Sequence, residues 1–205
     1  MYGRLWMKKM INETNDKIRY TSYKFFLEKG YEATNIRDIC KMVNIKPSSL
    51  YFYYKSKQEL FLSLYDEIWS QKIEFFKKIE DGNHELSYKY LYTMSIEYYS
   101  KNILNEKFLL RYHLFPVEEI ATLINDRFNF WNNEENIILL DILKKCSNTI
   151  NSEVSINLND FYQQYKNFLN HQIIDMISNS IKPNLLEQEK LWIKFWNTYV
   201  LSIQN

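Results

Sequence analysis

Glycine and proline are scarce, with three of each in 205 residues. A loop that cradles phosphate with backbone N–H groups needs several glycines close together. None is present, which excludes a nucleotide site of that kind. No apolar run approaches the roughly 18 residues that cross a bilayer. The opening "MYGRLWMKKMIN" is basic but has neither the apolar segment nor the small-residue cleavage site of a secretory signal, so none is expected. The only cysteines, Cys40 and Cys146, are far apart and form no CxxC pair, which fits a reduced, cytoplasmic protein. The three histidines, His84, His113 and His171, lack ligand spacing, and no metal or other cofactor is expected. No Ser/His/Asp, Cys/His or paired-carboxylate arrangement is legible, so there is no positive case for an enzyme.

The charge is nearly balanced at +1, but unevenly spread. Residues 1–60 hold 12 Lys/Arg against 6 Asp/Glu, and residues 61–205 hold 14 against 19. A basic head on an acidic body suggests that the head meets a polyanion. Asn, Ile, Lys and Tyr are abundant; AT-rich coding produces that bias, and it carries little functional weight.

Helical spacing runs throughout, and an all-α protein of about nine helices is predicted. The first covers 15–29 and ends at Gly30, a residue suited to a left-handed cap. Thr34 is placed to cap a short second helix, with Ile36, Ile39 and Val43 inward. Asn44 is the plausible left-handed turn residue, and Pro47 suits the first turn of a third helix, "PSSLYFYY". "SKQE" at 56–59 reads as a capping box that opens a long fourth helix. Later helices are expected over about 84–101, 105–113, 116–146, 158–180 and 184–203, with "SNTINSEVSINLN" as a polar loop and "KPN" as a break.

Residues 34–54 therefore read as helix, tight turn, short helix. In a helix-turn-helix the second helix enters the major groove. Ile36, Ile39, Val43, Ile45 and Leu50 can form its small core, leaving Lys46, Ser48, Ser49, Tyr51 and Phe52 outward. Thr34 and the ends of helices two and four could donate to phosphate. Plain αα packing gives similar shapes; the basic head favours the nucleic-acid reading. Arg37 could instead pair with Asp38 or Glu32, and Phe52 is divided between core and groove.

The stretch "TSYKFFLEKGYEATNIRDICKMVNIKPSSLYFYYKSKQELF", residues 21–61, resembles the N-terminal domain of the TetR family of bacterial transcriptional regulators. The resemblance rests on "FFLEKGYEAT", "IRDI", "VNI" and "SLYFYYKSKQEL", in order and spacing. It implies a DNA-binding domain over 1–56 and a helical ligand-binding and dimerisation domain over 57–205. The DNA-binding residues implied are Thr34, Arg37, Lys46, Pro47, Ser48, Ser49, Tyr51, Phe52, Tyr53 and Lys57, with Thr34 and Lys57 on phosphate. Asn44 stands where the family has glycine, Lys46 where it has a capping Ser or Thr, Tyr54 where it has Phe, and Ser22 where it has a small apolar residue.

For the body, the resemblance implies a pocket for an apolar or aromatic effector. Tyr65, Trp69, Tyr92, Ile96, Tyr99, Phe108, Arg111, Tyr112, Trp131 and Tyr165 are its candidate lining, although such rings also read as ordinary core. Phe161, Phe168, Met176, Trp192, Phe195, Trp196 and Tyr199 form a second apolar face on the last two helices. The family's four-helix homodimer interface implies a role for that face; core packing is the alternative. The expectation is a homodimeric repressor released from a palindromic DNA operator by a small molecule. An effector-independent DNA-binding protein acting through protein interactions is the alternative.

Overall fold

The computed structural model describes residues 14–82, 86–149, 156–179 and 183–204. The leading "MYGRLW", His84, most of the polar loop after Thr149 and Lys182 of "KPN" lie outside the described residues. Those described form nine α-helices and no strand. They are α1 (Thr14–Lys29), α2 (Ile36–Val43), α3 (Pro47–Tyr53), α4 (Lys57–Glu80), α5 (Tyr88–Lys101), α6 (Ile103–Leu114), α7 (Ala121–Thr149), α8 (Leu158–Asn179) and α9 (Leu185–Gln204). A single 3-10 turn, Glu118–Ile120, precedes α7. The expected start of α5 near 84 is corrected to Tyr88, because Ser87 caps it by accepting from the Tyr90 N–H at 3.1 Å.

Two compact units divide the chain: Met1–Gln71 with Leu104–Trp131, and Lys72–Ile103 with Asn132–Asn205. The first unit packs around Phe61. Its ring meets Phe26 and Tyr31 edge-on at 5.1 and 5.2 Å, and Tyr112 at 4.6 Å, and stacks on Phe108 at 5.5 Å. Leu50 from α3 and Ile36 and Ile39 from α2 are buried in the same cluster, with Val43 and Ile45 packed on it, as the spacing predicts.

The end of α1 is held by α6. A helix C-terminus leaves carbonyls without partners inside the helix. Here Tyr112 donates its hydroxyl to the Phe26 carbonyl at 2.8 Å, and Arg111 Nη1 donates to the Leu27 carbonyl at 3.0 Å. Gly30 follows with φ +86°, and a Cβ there would lie 2.7 Å from Arg111 Nη2. Glycine meets both requirements: the left-handed backbone and the close approach.

The second unit is built on aromatic rings from α5, α8 and α9. Phe161 meets Tyr88 at 4.6 Å and Tyr199 at 4.9 Å, Phe168 stacks on Phe195 at 4.5 Å, and Tyr92 stacks on Trp192 at 5.1 Å. Apart from Tyr88 and Tyr92 of α5, these rings belong to the set expected at a dimer interface. Phe161, Met176, Trp192 and Tyr199 are instead buried in the unit's own core, with Phe168, Phe195 and Trp196 half-buried beside them. The reason is α5, whose Tyr88 and Tyr92 cover the stripe. The apolar groups left in water on α8 and α9 are Ile174, Leu185, Leu186, Ile193 and Leu201.

Charge is also buried in this unit. Lys72 and Glu135, both nearly excluded from water, lie 3.6 Å apart. Lys166 donates to Asn132 at 2.8 Å and Asn136 at 2.5 Å, with Glu135 at 3.9 Å. Loss of hydration outweighs that carboxylate and holds the Lys166 ammonium below its usual range.

Candidate nucleic-acid interface

The segment from Thr34 to Lys57 is fixed by local hydrogen bonds before any partner binds. Asn35, not Thr34, caps α2: its side chain accepts from the Arg37 N–H at 2.8 Å. Thr34 is 2% exposed and donates its hydroxyl to the Gly30 carbonyl at 2.7 Å. It therefore stabilises the turn after α1 and does not offer its hydroxyl outward. Asn and Thr are both good caps, and what separates these adjacent candidates is the local bond that commits Thr34 to the Gly30 carbonyl.

Asn44 adopts the left-handed conformation, φ 60° and ψ 50°, and closes α2 through N–H bonds to its last carbonyls. The Ile45 N–H reaches the Cys40 carbonyl at 2.9 Å. The turn then feeds Lys46, extended at φ −78° and ψ 150°, into α3 with Pro47 in the first turn. Lys46 makes no side-chain cap, as its substitution for Ser or Thr implies. Leu50 is fully buried and anchors α3.

Everything else on α3 faces water. Pro47, Ser48 and Ser49 are exposed, and Tyr51, Phe52 and Tyr53 are 50%, 83% and 40% exposed. Phe52 is thus outward, its ring edge-on to Tyr53 at 5.3 Å. Tyr54 ends the helix and turns inward. Its hydroxyl donates to Asn15 at 2.9 Å and accepts from Arg19 at 3.0 Å, so the polar atom absent from phenylalanine is satisfied. Ser22 likewise satisfies its buried hydroxyl on the Ile18 carbonyl at 2.6 Å.

Ser56 opens α4 by accepting from the Glu59 N–H at 3.0 Å. The Glu59 carboxylate reaches the Lys55 N–H at 2.7 Å, one residue before the partner that a reciprocal box predicts. Lys57 points back: its ammonium donates to the carbonyls of Tyr31 and Thr34 at 3.0 and 3.3 Å and lies 4.2 Å from the Tyr31 ring centre. It thereby ties α4 to the α1–α2 turn.

Arg37 and Lys46 are exposed, as are Lys41 and Lys55, which sequence reasoning passed over. Among the described residues none of the four forms an ion pair, so Arg37 does not take the surface partners considered for it. The segments flanking α3 thus carry four exposed cations beside the exposed Asp38 and Glu59, and α3 itself has no carboxylate.

The candidate effector residues are divided between the two units. Tyr65, Trp69, Phe108 and Tyr112 are core of the first unit. Arg111 is committed to α1, and half-buried Trp131 donates to Asp66 at 2.9 Å. In the second unit Tyr92, Ile96, Tyr99 and Tyr165 are all buried, and Tyr92 and Ile96 lie at the wall of a cleft of about 540 Å³ with Trp192, Gln188, Lys89 and Glu189. The Tyr92 hydroxyl donates to Gln188 at 2.5 Å there. Among the described residues no His/Cys/Asp/Glu group is arranged for a metal, and no helix is long and apolar enough to cross a membrane.

Residues 20–64 match the family described as "Bacterial regulatory proteins, tetR family". The chain is 35% identical over 79 residues to the biofilm operon icaADBC HTH-type negative transcriptional regulator IcaR of Staphylococcus epidermidis. That match spans 38% of this chain and 43% of the relative, less than half of either. Two solved structures extend the likeness of fold. The regulator FadR from Bacillus subtilis, in complex with stearoyl-CoA, has TM-score 0.62 at 16% identity and is covered to 96%, against 87% of this chain. A regulator of the TerR/AcrR family from Aquifex aeolicus has TM-score 0.62 at 20% identity, with 95% and 87% covered.

Proposed function

We propose that the chain, whose residues 20–64 match the tetR family of bacterial regulatory proteins, is a regulator of that family and a sequence-specific DNA-binding repressor acting as a homodimer. The observation that carries the proposal is α3: a helix anchored by one buried leucine, with every other side chain exposed, flanked in sequence by exposed cations that form no ion pair among the described residues. Residues 1–56 form the reading head. Arg37, Lys46, Pro47, Ser48, Ser49, Tyr51, Phe52 and Tyr53 meet DNA, Lys57 and the Asn35-capped start of α2 face phosphate, and residues 57–205 carry effector and partner. A two-fold dimer sets two such helices into major grooves about 34 Å apart on a near-palindromic site. Repression fits the relative named a negative regulator. The dimer face is the exposed apolar set Ile174, Leu186, Ile193 and Leu201, since the aromatic stripe is already covered.

Release by a small molecule is the further part of this reading. The cleft beside Tyr92 and Trp192 offers aromatic walls, with Lys89 and Glu189 beside them. An elongated apolar effector with a polar end suits it, in keeping with the acyl-CoA bound by the structurally similar FadR. Effector and DNA then favour different conformers, with a reciprocal coupling of roughly 1–3 kcal/mol.

The test is a fluorescence-anisotropy titration of the full chain against the DNA upstream of its own gene, over a range of salt, with sedimentation of the same sample. Tight, salt-sensitive binding of a dimer to one segment over unrelated DNA is expected. Equal affinity for all sequences, or none, would refute the proposal.

A further inference from the structure

Resting on that DNA-binding reading, we propose that α3 selects its operator chiefly through thymine methyl groups, with Phe52 as the specificity-determining side chain. Successive helical residues turn by about 100°. Leu50, fully buried, marks the inward direction of α3. Ser48 and Phe52, two residues either side, both point about 160° away from it. They share the centre of the outward face, one turn apart, while Tyr51 and Ser49 lie on its flanks.

What stands at that centre limits what can be read. Guanine and adenine are distinguished in the major groove by Arg, Lys, Asn or Gln, which bond two edge atoms at once. From Pro47 to Tyr53 the helix contains none of these. Lys46 is the extended residue before the first turn and is not part of the helical face. The Ser48 hydroxyl bonds to either kind of edge and discriminates weakly. Phe52 has no polar atom at all. A ring pressed onto a donor or acceptor would strip its water and return no hydrogen bond. The one apolar feature on a base edge is the C5-methyl of thymine. Tyr53, edge-on at 5.3 Å, restricts the ring before DNA arrives.

The experiment uses two pools of duplexes with a randomised centre, one made with thymidine and the other with deoxyuridine in its place. Uracil keeps the pairing and edge hydrogen bonds but lacks the methyl. The full chain selects from each pool. Thymine should be enriched at fixed positions of each half-site in the first pool and that enrichment lost in the second. On the best site, each critical methyl removed should weaken binding about fourfold, the value of one buried methyl-sized group. Phe52→Ala should weaken binding to the thymine site until it equals binding to the uracil site; Phe52 is 83% exposed and supports no core, so the variant folds. A selected site bound equally in both forms, or a Phe52→Ala protein that still prefers thymine, would overturn the inference and leave the DNA-binding reading standing. Binding of neither pool would overturn both.

Discussion

Replacing Gly30 by alanine tests how the reading head is fastened. The backbone there has φ +86°, a region that costs a residue with a Cβ about 1–2 kcal/mol. The added Cβ would also lie 2.7 Å from Arg111 Nη2, so the guanidinium must move. Moving it breaks the 3.0 Å bond to the Leu27 carbonyl, a charged hydrogen bond worth roughly 1.5–3 kcal/mol. The alanine's stiffer unfolded chain returns about 0.4–1 kcal/mol. The net loss expected is about 2–4 kcal/mol, read as a lower urea midpoint at unchanged slope. Arg111→Ala alone removes the same bond without the backbone strain. The double variant should therefore fall short of additivity by about 1.5 kcal/mol or more, because the bond can be lost only once. Additivity within about 0.5 kcal/mol would show that the collision does not disturb Arg111 and would refute the reasoning.

Lys57→Met keeps the aliphatic stem but loses both carbonyl bonds and the contact with the Tyr31 ring. Stability should fall by about 1–2 kcal/mol in urea, and DNA affinity should drop for all sequences alike. The slope of log affinity against log salt should become shallower by about 0.9; an unchanged slope leaves Lys57 a strut alone. His113 stacks on Phe128 at 3.6 Å, its buried Nδ1 has no hydrogen-bond partner among the described residues, and burial lowers its pKa. The folded state therefore resists a proton that the unfolded chain accepts below about pH 6.5, so stability falls as pH drops through that window toward the lowered folded value. His113→Phe should keep the stacking and flatten this acid loss in urea midpoints taken at pH 7, 6 and 5.

The head was legible because its boundaries are set locally. Gly30, Asn44, Pro47 and Ser56 each act within a turn of their own position, and each stands where the pattern required. What escaped was decided at a distance. Arg111 and Tyr112 read as pocket lining, yet they bond to α1 carbonyls more than 80 residues away in sequence. The stripe through Phe161, Trp192 and Tyr199 has the same periodicity whether it meets a second subunit or the chain's own α5. Hydrophobic spacing reports that a face is covered, not by what. The cleft is half legible: the sequence points to Tyr92 and Ile96 as lining but places Trp192 on a different face.

The four consecutive rings of α3 and its cap carry the strongest functional signal because their fates differ within one turn. Tyr54 turns in and satisfies its hydroxyl on Asn15 and Arg19. Phe52, two residues earlier, keeps most of its surface in water. Burying such a side chain stabilises a fold by roughly 1.5–3 kcal/mol, and its exposed position forgoes that gain. A folding requirement alone would accept any polar residue there, as it does at Ser48 and Ser49. An exposed phenyl at the centre of a face with no carboxylate and flanking cations is instead the arrangement expected where the missing apolar contact comes from DNA. On the reading proposed above, its stabilisation is realised in the complex rather than in the fold, and only against a base that presents a methyl group.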